Sequence, residues 1–170
     1  YPEKIQKMGQ LSSRYPRSDY ADDALYETAR AHLQLDQNEE AIKMYTRILG
    51  QYPNSNKAAK AALELSMTYR TLKQYDKAIQ AYKNTIQKYA GSEEAYAALE
   101  GLEQVYVETN NISDYLAYTK TLNKINMRTS SQEDSLVYVT AELQYIMGNY
   151  EEAAAGMTTY ITSFCPGGRY

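Results

Sequence analysis

Apolar positions recur along this chain at helical spacing, in stretches of about a dozen residues divided by short polar runs. Leu25, Thr28, Ala29 and His32 fall at intervals of three and four, and after "DQN" at 36–38 the spacing resumes with Ala41, Ile42, Tyr45, Ile48 and Leu49. Such intervals gather side chains on one face of an α-helix, so the pattern predicts two amphipathic helices joined by a turn. Further turns are predicted at "KQ" (73–74), "NN" (110–111) and "GN" (148–149). Tyr-Pro at 15–16 and 52–53 should end a helix each time, because proline cannot continue one and disfavours the helical region in the residue before it. Helix starts are predicted at Ser18-Asp19, Ser55, Ser92 and Ser131, the last with Asp134 three residues on, where a side-chain oxygen can accept from free backbone N–H groups.

The pattern also repeats. "YPRSDYADDALYETARAHL" from Tyr15 is echoed thirty-seven residues later by "YPNSNKAAKAALELSMTYR" from Tyr52, and after the same interval by "YAGSEEAYAALEGLEQVY" from Tyr89. "FCPGG" at Phe164 closes the series with similar punctuation. A fixed period in this range marks a solenoid, whose units bury their apolar faces against their neighbours. The fold class expected is all-α: antiparallel helix pairs stacked in series, about nine helices in all.

The unit resembles the tetratricopeptide repeat, a helix-turn-helix of about 34 residues. The family motif has large residues at its positions 4, 7, 11, 24 and 31, small ones at 8 and 20, and proline at 32. With repeats beginning at Asp22, Ala59, Tyr96 and Asp134, position 20 reads Ala41, Ala78, Tyr115 and Ala153, and position 8 reads Ala29, Ser66, Glu103 and Ala141. The resemblance implies a right-handed superhelix. It divides the chain into a lone second helix at 1–15, four repeats at 16–52, 53–89, 90–127 and 128–165, and a linker at 166–170, as in a piece of a longer array. In the third repeat Glu103 and Tyr115 fill both close-contact positions and Gly101 lies nearby, so a wider or rotated crossing is expected around 96–126. The Tyr-Pro-x-Ser linkers and Ala-rich helices also look like those of bacterial cell-envelope tetratricopeptide proteins. That likeness implies a periplasmic or outer-membrane-associated location, with the cytoplasm as the alternative.

Composition narrows the function. The net charge of −3 argues against nucleic-acid binding, which calls for a basic surface. Charge is uneven: residues 1–90 carry 14 Lys and Arg against 10 Asp and Glu, residues 91–170 carry 4 against 11. No segment has the roughly 18 consecutive apolar residues of a membrane span, so direct membrane insertion is not expected. His32 and Cys165 are the chain's one histidine and one cysteine, the acidic pairs at 39–40, 93–94 and 151–152 suit helix first turns, and Gly167-Gly168 lacks the context of a phosphate loop. No catalytic residue, metal site or cofactor follows from this inventory, and the chain is read as non-enzymatic. Ten of the nineteen tyrosines, at 1, 15, 45, 52, 69, 75, 82, 89, 106 and 150, fall on repeat or linker positions and are read as core wedges.

In the family the first helix of each pair lines a concave groove. The resemblance therefore assigns candidate ligand-binding roles to Tyr26, Arg30, Leu63, Met67, Arg70, Glu100, Gln104, Tyr138, Glu142 and Tyr145. The function implied is a protein- or peptide-binding scaffold. Self-association through uncapped ends is a second kind of partner, and glycan or peptidoglycan binding through the off-register tyrosines is the alternative function.

Overall fold

A computed structural model describes residues 1–18, 20–109, 111–122 and 130–164; the side chains of residues 112–113, 116, 130–136 and 164 lie outside it as well. The described residues form nine α-helices and no strand: α1 (Pro2–Arg14), α2 (Ala21–Leu33), α3 (Asn38–Gln51), α4 (Ala58–Thr71), α5 (Tyr75–Lys88), α6 (Glu93–Glu108), α7 (Ile112–Leu122), α8 (Ser130–Ile146) and α9 (Tyr150–Phe164). The expected all-α fold of helix pairs is therefore present. Cys165, Gly167-Gly168, the 166–170 linker and the caps at Asp19, Ser131 and Asp134 lie outside the described residues. Two compact units divide the chain, Tyr1–Val105 and Tyr106–Tyr170.

In the first unit the core is built where repeat positions meet. Leu25, Tyr26 and Ala29 of α2 pack with Ala41, Tyr45 and Ile48 of α3 and with Ala61 and Leu65 of α4. Ala29 and Ala41 are fully buried, as are Ser66 and Ala78 one period later, so small side chains do let paired helices touch. Hydroxyls buried along these faces bond within their own helix: Thr28 Oγ1 donates to the Ala24 carbonyl at 2.7 Å, Ser66 Oγ to Ala62 at 2.8 Å and Thr85 Oγ1 to Ala81 at 2.9 Å. None of them is left without a partner in a dry interior.

Helix ends follow the sequence with two differences. α1 and α3 stop at Tyr15 and Tyr52, ahead of the prolines. α5 stops in the same way at Tyr89, where Ala90 replaces proline and Gly91, at φ +86°, turns the chain instead. The serines act unequally. Ser92 Oγ accepts from the Ala95 N–H at 3.1 Å, a true N-cap, whereas Ser18 and Ser55 accept from Tyr20 and Lys57 only two residues on. They shape the linker turn, and α2 and α4 begin three residues beyond them, without a side-chain cap.

The turn within three of the pairs relies on a left-handed residue: Asp36 at φ +56° between α2 and α3, Lys73 at +55° between α4 and α5, and Gly148 at +81° between α8 and α9. Lysine is the poorest fit, because its Cβ crowds the carbonyl there. Lys73→Gly is expected to stabilise the protein by about 0.5–1 kcal/mol, read as a raised urea midpoint. A lowered midpoint would show that Lys73 makes a contribution its backbone strain does not reveal.

The tyrosines sort differently from the repeat register. Tyr45, Tyr82 and Tyr106 are buried, but Tyr1, Tyr15 and Tyr150 are more than three-fifths exposed and wedge nothing. Conversely Tyr26, Tyr115 and Tyr160 are buried although off those positions. Tyr1 and Tyr15 flank α1, which packs chiefly on α2 among the described residues.

In the second unit α8 and α9 form a close pair. A Cβ on Gly156 would lie 2.8 Å from that of Ala141, so glycine permits this approach. Tyr115 of α7, the bulky residue at a close-contact position, is buried with its ring 6.1 Å from that of Tyr106.

Candidate functional site

In the first unit the family-register positions of α2, α4 and α6 supply seven of the ten candidate residues. Arg30, Met67, Glu100 and Gln104 are exposed, and Leu63 and Arg70 are half-buried. Tyr26 lies beneath this face: it is 9% exposed, with its ring 5.9 Å from that of Tyr45. It supports the surface from below and offers a ligand little area of its own.

Two of the candidates are brought together directly. Arg70 Nη1 donates to Gln104 Oε1, joining α4 to α6 across one period of the sequence. A guanidinium carries five donors in a planar fork, a geometry that suits a carboxylate. Arg30 sits 3.7 Å from Glu27, while Glu27 pairs with Lys4 of α1. The Lys4 hydrogen bond, ahead of other causes, holds the Glu27 carboxyl below its ordinary range. Lys57 completes the charged border, 3.1 Å from Asp23 and 6.0 Å from the Tyr26 ring centre.

The register does not single out Glu64. It is half-buried on α4, its carboxyl is raised by burial, and Arg30 opposes that rise. Beside it, burial first and the Glu64 charge second push the phenol of Tyr45 well above its ordinary value, and Tyr26 is raised by the same two causes. The sequence does carry a mark here: thirty-seven residues on, the equivalent of Glu64 is Gly101, and the equivalent of Tyr45 is Tyr82. Both positions face a buried tyrosine.

A carboxyl whose folded pKa is raised takes up protons on folding, so its ionisation weakens the fold as pH rises through that pKa. Glu64→Gln is therefore expected to raise the melting temperature at pH 7. The advantage should shrink as pH falls toward the ordinary carboxylate range, where Glu64 is neutral in both states. An advantage independent of pH in thermal melts would remove burial of the charge as its cause.

The second unit holds the other three candidates. Tyr138 is half-buried, its ring edge-on to Tyr160 at 5.5 Å, and Glu142 is exposed. Tyr145 is 64% exposed and meets Tyr150 edge-on at 5.4 Å. His32 Nδ1 lies 2.7 Å from Gln37 Oε1, a contact that steadies the α2–α3 turn. Among the described residues no group of histidine, cysteine or carboxylate side chains could hold a metal ion. None of the described helices is long and apolar enough to cross a membrane.

These features have counterparts elsewhere. The tetratricopeptide repeat profile matches residues 23–55 and 60–92, each match beginning one residue after a repeat start read from the sequence. Residues 23–55 and 60–92 are tetratricopeptide repeats. Among solved structures, the nearly identical TPR-like repeats of a kinesin light chain candidate from Podosopora anserina align over 93% of this chain and 84% of theirs, at 14% identity and a TM-score of 0.62. A point variant of those repeats aligns with a TM-score of 0.61. A double mutant of MamA RS-1 aligns over 94% of this chain and 93% of its own, at 14% identity and a TM-score of 0.56. At this identity the likeness speaks for the tetratricopeptide fold alone. No curated protein matches the sequence. Tetratricopeptide repeats point to a scaffold that binds proteins or peptides.

Proposed function

We propose that this tetratricopeptide chain binds a peptide segment of a partner protein on the α2–α4–α6 face of its first unit and performs no chemistry of its own. What supports the reading is that the register positions of that face carry an exposed Met67 and a half-buried Leu63 together with the guanidinium groups of Arg30 and Arg70. Apolar anchors give a peptide affinity, and planar guanidinium groups fix a carboxylate by paired hydrogen bonds. The exposed carboxylate of Glu100 and amide of Gln104, on α6, would set polarity and register along the peptide. The Tyr-Pro-x-Ser linkers support a further step in the proposal, that the partner belongs to the bacterial envelope and the chain to a longer array there.

The test is selection of peptides against the protein from a random display library, followed by titration of the best binder against Arg30→Ala/Arg70→Ala. A loss of about tenfold or more in affinity is expected for two charge-assisted contacts. Failure to select any peptide, or equal affinity for the double variant, would refute the assignment.

A further inference from the structure

The first unit has a second concavity, on the other side of α4. Leu63, Met67 and Arg70 belong to the face described above, whereas Ala62, Leu65 and Tyr69 look into a trough of about 830 Å³ between α3 and α5. At about 100° per residue the two stripes lie roughly 130° apart around the helix and so face different ways. Leu49 of α3 and Ala81 of α5 complete an apolar floor, with the amides of Gln80 and Asn84 along it.

Charge is placed at the two ends. Lys77, in the first turn of α5, holds its ammonium 5.7 Å from the centre of the Tyr69 ring, and Lys88, in the last turn, holds its own 5.5 Å from that of Tyr89. Both lysines line the trough, and among the described residues neither makes an ion pair. Each is held over an aromatic face, which keeps the cation near the apolar floor. The one carboxylate in the described lining, Asp76, stands at the α5 N-terminus, where the helix dipole favours it.

The geometry points to an acidic amphipathic helix of a partner protein as the occupant of this trough. Eleven residues of α5 separate the lysines, roughly 16 Å at 1.5 Å per residue. A helix lying alongside α5 meets both ammonium groups if it carries carboxylates three turns apart, and the apolar side chains between them fall on Leu49, Leu65 and Ala81. A helix is favoured over an extended peptide because it satisfies its own backbone groups, while helical walls offer a strand no edge to pair with. This site is independent of the α2–α4–α6 face and does not rest on that reading.

The probe is a capped, alanine-based helical peptide with glutamate at its third and fourteenth positions and leucine at its seventh, tenth and eleventh. Added to isotope-labelled protein, it is expected to shift the amide signals of Leu49, Leu65 and Ala81. Binding should weaken about tenfold in Lys77→Glu/Lys88→Glu and be restored there by a peptide whose two glutamates are replaced by lysine. Both lysines are exposed, so thermal melts of the variant should match the wild type. Arg30→Ala/Arg70→Ala should leave this binding unchanged, which separates it from the first face. The inference is overturned by an absence of shifts at millimolar peptide, by affinity indifferent to both charge reversals, by shifts confined to Arg30 and Met67, or by a response to decanoate in place of the peptide.

Discussion

Gly101→Ala should destabilise the protein by about 2 kcal/mol, although alanine is the better helix former by about 1 kcal/mol. A Cβ on Gly101 would lie 2.6 Å from two atoms of the Tyr82 ring and 2.7 Å from its oxygen. Tyr82 is 1% exposed, so the ring has nowhere to retreat. The two residues should then be strongly coupled. Tyr82→Ala alone should cost about 3–5 kcal/mol, as other large aromatic truncations do. In that background Gly101→Ala should become stabilising by about 0.5–1 kcal/mol, because the obstacle has gone and the propensity gain remains. Urea melts of the four proteins complete the cycle. Should Gly101→Ala cost the same with and without the ring, α6 does not depend on glycine for this approach.

Tyr45→Ala should be the other large loss, about 3–5 kcal/mol, with Tyr45→Phe neutral or slightly stabilising. Tyr45 is fully buried among α2, α3 and α4, and its hydroxyl is buried there without a hydrogen-bond partner among the described residues. The ring supplies the packing while the oxygen bears a desolvation cost, so removing the oxygen alone relieves a strain. Denaturant titration of both variants decides the matter. A clear loss for the Phe variant would mean that the hydroxyl reaches a bridging water.

Most of the fold was legible from spacing. Intervals of three and four predicted the helices, and the thirty-seven-residue echo predicted their pairing, because both record which positions must be apolar. Gly101 shows where that reading fails. Sequence alone marks Gly101 only as a weak point of its helix, whereas the structure shows a ring pressed against the helix backbone there, a contact that depends on which residue of α5 faces which of α6. The serines fail for a similar reason: a residue three places before a helix and one at its cap look alike in sequence, and only the backbone path separates Ser55 from Ser92. On the candidate face, Arg70 and Gln104 were identified from register and do meet. Tyr26 was identified by the same register but lies beneath the surface, since an aromatic at that position can turn toward a neighbouring ring as readily as toward solvent. Glu64 is not legible in the sequence, because one polar residue between two leucines carries no sign of its own. Nor is the trough legible there, since its lining comes from three helices whose contributions have no common spacing.

Three ties between neighbouring repeats of the first unit span nearly the same length of chain. Tyr52 Oη donates to the Pro16 carbonyl at 2.6 Å, Ser55 to Asp22, and Arg70 to Gln104, each reaching back or forward about one period. No long-distance clasp among them joins first residue to last, so a pull on the two ends loads these ties in series. Such a body lengthens by increments under tension, each surrendering one repeat, up to about 130 Å of chain at full extension. It would behave as a compliant tether that gives way gradually, where a domain with a single interlocked core would rupture at once.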